Sequence, residues 1–260
     1  PRKEERKSVG AQSTEPVYIS GMVADFMIRD DLTFNRKRTE QIKTGILGSI
    51  EEKYPDAKVF MVSDKAVDAR MDYFRKERVP YFLKNTGDDG AMGSNPFGSY
   101  YRSTVLPSEP SELKKKVVSE MGVPFLYRLM LPFGYIQING ATEMADDDFS
   151  AIKKVGMSVS TALTGDKQLI KSPDDRIAVT DLSESGMGVF FKERTQIKYF
   201  KDGSSIVFTL FLPGKKQASL LCVVRNIAIL KNGIYRVGCE IEGMDSIGEA
   251  HFGEYLEGLR

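Results

Sequence analysis

Residues 181 to 186, Asp-Leu-Ser-Glu-Ser-Gly, set a carboxylate, a hydroxyl and a glycine at fixed spacing between two apolar runs. An ionised carboxylate only accepts hydrogen bonds, a hydroxyl donates and accepts, and glycine allows a positive φ or a close backbone approach to a ligand. Asp181, Ser183 and Gly186 are thus suited to holding a ligand. The same residue types also make ordinary turns, in which Asp and Ser cap their own backbone and Gly simply turns. The elements on either side have to decide between the two.

Little else in the chain suggests turnover. The single histidine, His251, cannot complete a Ser-His-Asp triad or a His-based metal site, and reads as a partly exposed residue of the last helix. Carboxylates run together at Asp146 to Asp148 and at Asp174 and Asp175. Acids at a helix start or a turn need no catalytic role, since they complement the helix dipole. With no phosphate loop, paired metal motif or activated nucleophile, the expectation is a non-enzyme with no catalytic residue, metal or cofactor.

The 37 basic and 36 acidic residues leave a formal charge of +1, which gives no general attraction to nucleic acid or to an anionic membrane. Any anionic ligand must be held by a local cluster. A hydrophobic share of 41% with 28% charged is the balance of a globular protein with a working core. No apolar run reaches the length of a membrane span, and the first residues lack a charged-then-apolar signal, so a cytoplasmic protein without membrane insertion is expected. Cys222 and Cys239 fall in segments that read as buried strands, where a small apolar side chain is the usual occupant.

The elements that position the 181–186 segment follow from periodicity. Residues 1–16 are polar and unpatterned. From 17 to 164, helices alternate with strands. Ile42, Ile46, Leu47, Ile50 and Tyr54 recur at helical spacing; residues 57–63 read as a buried strand and 68–78 as a second helix. A Gly-rich loop at 87–99 leads to a strand at 100–107 and a helix carrying Leu113, Val117 and Met121. Two antiparallel strands over 124–140 joined at Pro132 to Gly134 come next. Asp146 to Asp148 then start a long helix with Ile152, Val155, Val159 and Leu163 on one side. After Thr164-Gly165 come five closely spaced strands, with Asn232-Gly233 as a hairpin whose two central residues would take positive φ. Asp245 or Ser246 caps a last helix whose Phe252, Tyr255, Leu256 and Leu259 could cover a barrel end. The chain therefore reads as α+β, with a mixed domain at 17–164 and an antiparallel barrel with a closing helix at 166–260.

The order of elements over 17–164 resembles GAF domains, with residues 133–159 as the last strand and exit helix. Residues 181–186 match the DxSxxG motif of PilZ domains, and the succession of strands, Asn-Gly hairpin and closing helix over 166–260 is similar to that family. The resemblance implies a bacterial receptor for cyclic di-GMP, with Asp181 accepting from guanine N1 and N2 and Ser183 and Gly186 close to the ligand. PilZ domains also carry an RxxxR pair just before the barrel, whose planar guanidiniums stack on guanine and grip phosphate. Residues 150–175 hold no such pair; their cations are Lys153, Lys154, Lys167 and Lys171. The spacing occurs instead at Arg2 and Arg6, which become the expected completion of the pocket if the N-terminal segment folds back over the barrel. Arg36 with Arg38, or Arg75 with Arg78, are the other sources. Arg225 occupies a strand position where PilZ domains often carry a ligand-facing or rim residue. The expected function is a cyclic di-GMP receptor that passes binding on as an interdomain change to a downstream protein partner. The alternative is a PilZ-fold adaptor that has lost the nucleotide and works through protein contacts.

Overall fold

The computed structural model describes residues 6–9, 15–64, 68–111 and 116–259. Its strands are β1 (Lys7–Ser8), β2 (Tyr18–Ala24), β3 (Lys58–Met61), β4 (Tyr81–Leu83), β5 (Ser119–Tyr127), β6 (Leu131–Gly140), β7 (Ile177–Leu182), β8 (Gly186–Phe191), β9 (Ser205–Leu212), β10 (Lys216–Ile229) and β11 (Tyr235–Met244). The principal helices are α1 (Asp25–Phe34), α2 (Arg36–Gly48), α3 (Ala69–Glu77), α4 (Asp89–Ser94), α5 (Asp146–Gly165) and α6 (Ser246–Gly258). Two compact units result: the described residues of 1–28 with those of 171–260, and the described residues of 29–170.

The first unit is a closed antiparallel barrel in the order β7-β2-β9-β10-β11-β8, with β8 pairing back onto β7. Five of its strands lie where alternation put them. Met187, Val189 and Phe191 of β8 point inward while Gly186, Gly188 and Phe190 face out, and Val237 and Cys239 of β11 point inward in the same way. The sixth stave is β2, which pairs with β7 and β9. Residues 18–24 therefore complete the barrel rather than opening the mixed domain, and the units divide at 28/29 and 170/171. Asp245 caps α6 by accepting from Gly248 N–H, and Phe252 and Leu256 bury against the barrel core. Cys222 and Cys239 are free and buried, and burial pushes the Cys239 thiol up to about 12. His251 donates through Nδ1–H to the Gln217 carbonyl, 2.9 Å away. The Asn232-Gly233 hairpin differs from expectation: only Gly233 has positive φ, and its N–H closes a turn on the Leu230 carbonyl. A turn followed by a left-handed glycine is the longer hairpin loop rather than the two-residue one.

In the second unit, β3-β6-β5-β4 form an antiparallel sheet with α5 against β5. Ile152 and Leu163 of α5 are buried, and Gly156 lets the helix sit against Val123, where a Cβ would lie too close. Four expectations fail here. The β5–β6 turn falls at Arg128 and Leu129, both with positive φ (49° and 60°), because Pro132 and Gly134 belong to the strand; a Cβ on Gly134 would stand 2.5 Å from the Phe60 carbonyl oxygen. Residues 100–107 are helical, including a π turn at Tyr101–Val105, because Tyr101 and Val105 bury together on one face. Met121 lies in β5 rather than on a helix, and within the expected loop α4 forms a short helix capped by Asp88; Leu113 lies outside the described residues. Arg70, 2% exposed, sits in this core. It is bidentate to Glu120 at 2.7 and 2.8 Å, with Asp68 at 2.5 Å and Glu109 at 2.7 Å. Tyr81 donates to Glu120 and Tyr135 to Asp68. Burial, and then the neighbouring carboxylates, hold both phenols well above their ordinary range. Burial alone would lower the Arg70 guanidinium; its hydrogen bonds to Glu120 and the charges around it raise it instead.

Among the described residues, no helix is long and apolar enough to cross a membrane, and no group of three or more His, Cys, Asp and Glu side chains could hold a metal ion.

Candidate functional site on the outer barrel wall

A β-bulge decides where Asp181 points. In β7, Ile177, Val179 and Leu182 face the core, so strict alternation would send Asp181 inward. Between Val179 and Asp181 the register against β8 shifts by one, so that Thr180 and Asp181 both stand opposite Gly188. The extra residue turns the carboxylate to the outer wall. There it lies over Gly188, where a Cβ would come within 2.8 Å of Asp181 Cγ and 2.9 Å of Thr180 Oγ1. Glycine is required at that point by the close approach of the carboxylate.

Three donors surround Asp181. The Thr180 hydroxyl donates to Oδ2 at 2.8 Å, Arg6 Nη1 to Oδ1 at 3.2 Å, and Arg236 Nη2 to Oδ2 at 3.4 Å. Arg6 reaches the site because β1 pairs with β7, Lys7 opposite Leu182 and Ser8 opposite Asp181. Val9 N–H donates to the Thr180 carbonyl, and Lys7 Nζ to the Leu256 carbonyl near the end of α6. The N-terminal arm is thus tied to the barrel at several points around the motif.

Ser183 and Gly186 take up a different role from Asp181. Ser183 closes the β7–β8 hairpin, its N–H and hydroxyl both donating to the Gly186 carbonyl at 2.8 and 3.2 Å. Gly186 begins β8 without a positive φ, so it is not the left-handed turn residue that glycine often supplies. A Cβ there would stand 3.1 Å from the Cys239 carbonyl oxygen and 3.9 Å from Arg6 Nη2. Asp181, Ser183, Gly186 and Arg6 therefore come together. Arg2 lies outside the described residues. Arg225 is outward-facing and paired with Glu240 at 2.5 Å, half-exposed. Arg38 pairs with Asp166 and Arg75 with Asp72, within the 29–170 unit.

Arg236 was not among the residues the sequence singled out. The signal for it existed: Val237 and Cys239 of β11 read as inward, so Arg236, Gly238 and Glu240 face outward with it. Its register partner is Phe190 of β8, and Gly238 pairs with Gly188. A second bulge, between Val224 and Asn226 of β10, turns Arg225 and Asn226 out in the same manner. Around Asp181 the wall forms a cleft of about 500 Å³ lined by Arg6, Ser8, Thr180, Phe190, Leu230, Ile234 and Arg236. Two guanidiniums against one carboxylate give it a positive character.

No curated protein matches the chain. Among solved structures, it is similar to K. pneumonia MrkH in its apo state at 10% identity, over 54% of this chain and 65% of that one, with a TM-score of 0.31. It is similar to the Bacillus subtilis inhibitor of motility MotI/DgrA at 12% identity, over 54% and 71%, with a TM-score of 0.28. The K. pneumonia MrkH complex with c-di-GMP follows at 9% identity, over 55% and 67%, also at 0.28. The chain thus spans about two thirds of the length of these solved chains. The family model of the PilZ domain matches residues 154–258, a span that holds the DxSxxG residues and Arg236 but leaves out β1 and β2. Residues 154–258 of this chain are a PilZ domain.

Proposed function

We propose that this protein is a non-enzymatic bacterial receptor for cyclic di-GMP. The nucleotide is held on the outer wall of the barrel by Asp181, Ser183 and Gly186, completed by Arg6 and Arg2 of the N-terminal segment. The observation that carries the reading is the pairing of β1 with β7, which sets Arg6 against the motif carboxylate within a PilZ domain. Residues 150–175 lack the family's RxxxR pair, and Arg6 brings a guanidinium to the motif from another segment. The chemistry agrees: a guanine edge offers N–H donors for Asp181, and guanidiniums suit both the acceptor edge and the phosphates.

The Arg6–Asp181 bond is long and Arg6 is 49% exposed, so the pair is easily exchanged. On binding, guanine N–H groups replace Arg6 at Asp181, and Arg6 turns to the ligand. A change at β1 is then passed on as an altered arrangement of the two units, in the cytoplasm, toward a downstream protein partner. The other unit is proposed to be GAF-like, on the support of its antiparallel sheet and the exit helix α5 behind the acids Asp146 to Asp148.

Calorimetric titration of the full chain with cyclic di-GMP tests the binding. Micromolar or tighter affinity, abolished by Asp181→Ala and weakened by Arg6→Ala, is expected. Small-angle scattering with and without nucleotide tests the transmission, and superimposable curves alongside tight binding exclude a domain-scale change. A second reading, an adaptor without nucleotide, is favoured by the exposed apolar tip of the β10–β11 hairpin, where Ile229 is 67% exposed. No heat with any cyclic dinucleotide is its outcome.

A further inference from the structure

The cleft beside Asp181 has two chemically distinct halves. At one end stand Arg6, Arg236, Thr180 and the carboxylate; at the other stand Phe190, Leu230 and Ile234. Apolar side chains are rarely left in the open beside a charged cluster without use, and two of these are well exposed, Phe190 at 39% and Leu230 at 44%. They arrive from two elements. Phe190 projects from the outer face of β8, opposite Ala178 on β7 and Arg236 on β11. Leu230 and Ile234 flank the β10–β11 hairpin loop and are linked by the Leu230 N–H to the Ile234 carbonyl at 2.8 Å. Ala178 is small, so on that side Phe190 has no tall neighbour from β7.

We infer that Phe190, with Leu230 and Ile234, forms a stacking subsite for the face of one purine ring of the ligand. The inference rests on the proposed reading of the site and extends it to residues outside the DxSxxG motif and the arginine pair. A purine presents a hydrogen-bonding edge and a flat face that water solvates poorly. The charged half of the cleft supplies partners for the edge and for phosphate. The apolar half supplies a surface for the face, with the guanidinium of Arg236 next to Phe190 in the same row across the sheet. Neither half alone recognises a nucleotide; side by side they select an aromatic base joined to a phosphate, over a simple anion or an apolar molecule.

Removing an aromatic stacking partner typically weakens binding by about 5- to 150-fold. The test is calorimetry of the full chain with cyclic di-GMP for wild type, Phe190→Ala and Phe190→Tyr, with a cyclic dinucleotide carrying the fluorescent base 2-aminopurine as a second probe. Because Phe190 faces out of the barrel, both variants should fold, and circular dichroism checks this. Phe190→Ala is expected to lose about tenfold or more in affinity and to relieve the quenching of the bound aminopurine, while Phe190→Tyr retains both. If Phe190→Ala binds within twofold of wild type although Asp181→Ala abolishes binding, the subsite is wrong and the receptor reading stands. If wild type binds no cyclic dinucleotide, the receptor reading fails and the subsite with it. If instead Phe190→Ala and Leu230→Ser leave affinity unchanged but abolish a concentration-dependent self-association, the patch is a protein-docking face and the inference is overturned.

Discussion

Each unit of this protein holds an arginine among carboxylates, and the two clusters are built to opposite specifications. In the 29–170 unit, Arg70 and Glu120 are 2% and 1% exposed, joined by two bonds of 2.7 and 2.8 Å, with Asp68, Glu109 and two tyrosine hydroxyls in the same network. On the barrel wall, Arg6 and Arg236 are each 49% exposed and reach Asp181 at 3.2 and 3.4 Å. Short, dry, mutually satisfied charges fix a single arrangement, because any member removed leaves its partners unpaired in low dielectric. Long contacts from half-exposed guanidiniums cost little to open, although Asp181 itself is only 12% exposed. The difference separates a cluster that specifies a fold from one that can hand its carboxylate to a ligand.

The largest effect is expected at Arg70. Arg70→Met keeps much of the volume but strands Glu120 and its neighbours without a counter-charge, and breaking a buried pair in this way costs about 3–5 kcal/mol. Urea denaturation followed by tyrosine fluorescence should show the loss, the chain having no Trp. A cost under about 1 kcal/mol, the range of exposed pairs, would mean that burial does not set the two clusters apart.

A smaller effect is expected at the glycines under the barrel cluster. Gly188→Ala places a methyl where the Asp181 carboxylate lies, and that carboxylate is held by Thr180 and Arg6. Overpacking of this kind costs about 1–3 kcal/mol, and nucleotide affinity should fall with it as Asp181 is pushed off the wall. Gly238→Ala is the matched control. Its Cβ would come 2.6 Å from Asn226 Nδ2, the free end of an exposed side chain that can swing away, so little change is expected. Equal effects at the two glycines would show that the anchoring of Asp181 is immaterial.

How far the sequence revealed all this depends on whether the information is local. Five barrel strands could be read because alternation is a local signal, and so could the α6 stripe of Phe252 and Leu256. The sixth stave could not: residues 18–24 look like any short strand before a helix, and nothing nearby says that their partners lie at 206–211 and 177–178. Residues 100–107, rich in aromatic and β-branched side chains, read as strand although Tyr101 and Val105 already carried a helical spacing. At the site, Arg6 was legible from its RxxxR spacing. The bulge at Thr180 was not, since a one-residue shift in register is a property of the pair of strands. That shift is also what turns Asp181 to the outer wall, under Arg6 and Arg236, so the decisive detail of the site lay beyond sequence patterning.

Arg6 should show the smallest stability effect together with a functional one. Arg6→Ala removes a half-exposed partner at 3.2 Å, and such pairs are worth about 0–1 kcal/mol. Asp181 keeps the Thr180 hydroxyl and Arg236, and β1 keeps its backbone pairing with β7, so the loss should be near the lower end of that range. Raising the salt should narrow even this difference, since screening acts on exposed charges first. The urea midpoint of Arg6→Ala should therefore lie close to that of wild type while its titration with cyclic di-GMP weakens clearly. If Arg6→Ala instead unfolds the barrel at markedly lower urea, Arg6 is a structural clasp like Arg70, and the contrast between the two clusters disappears.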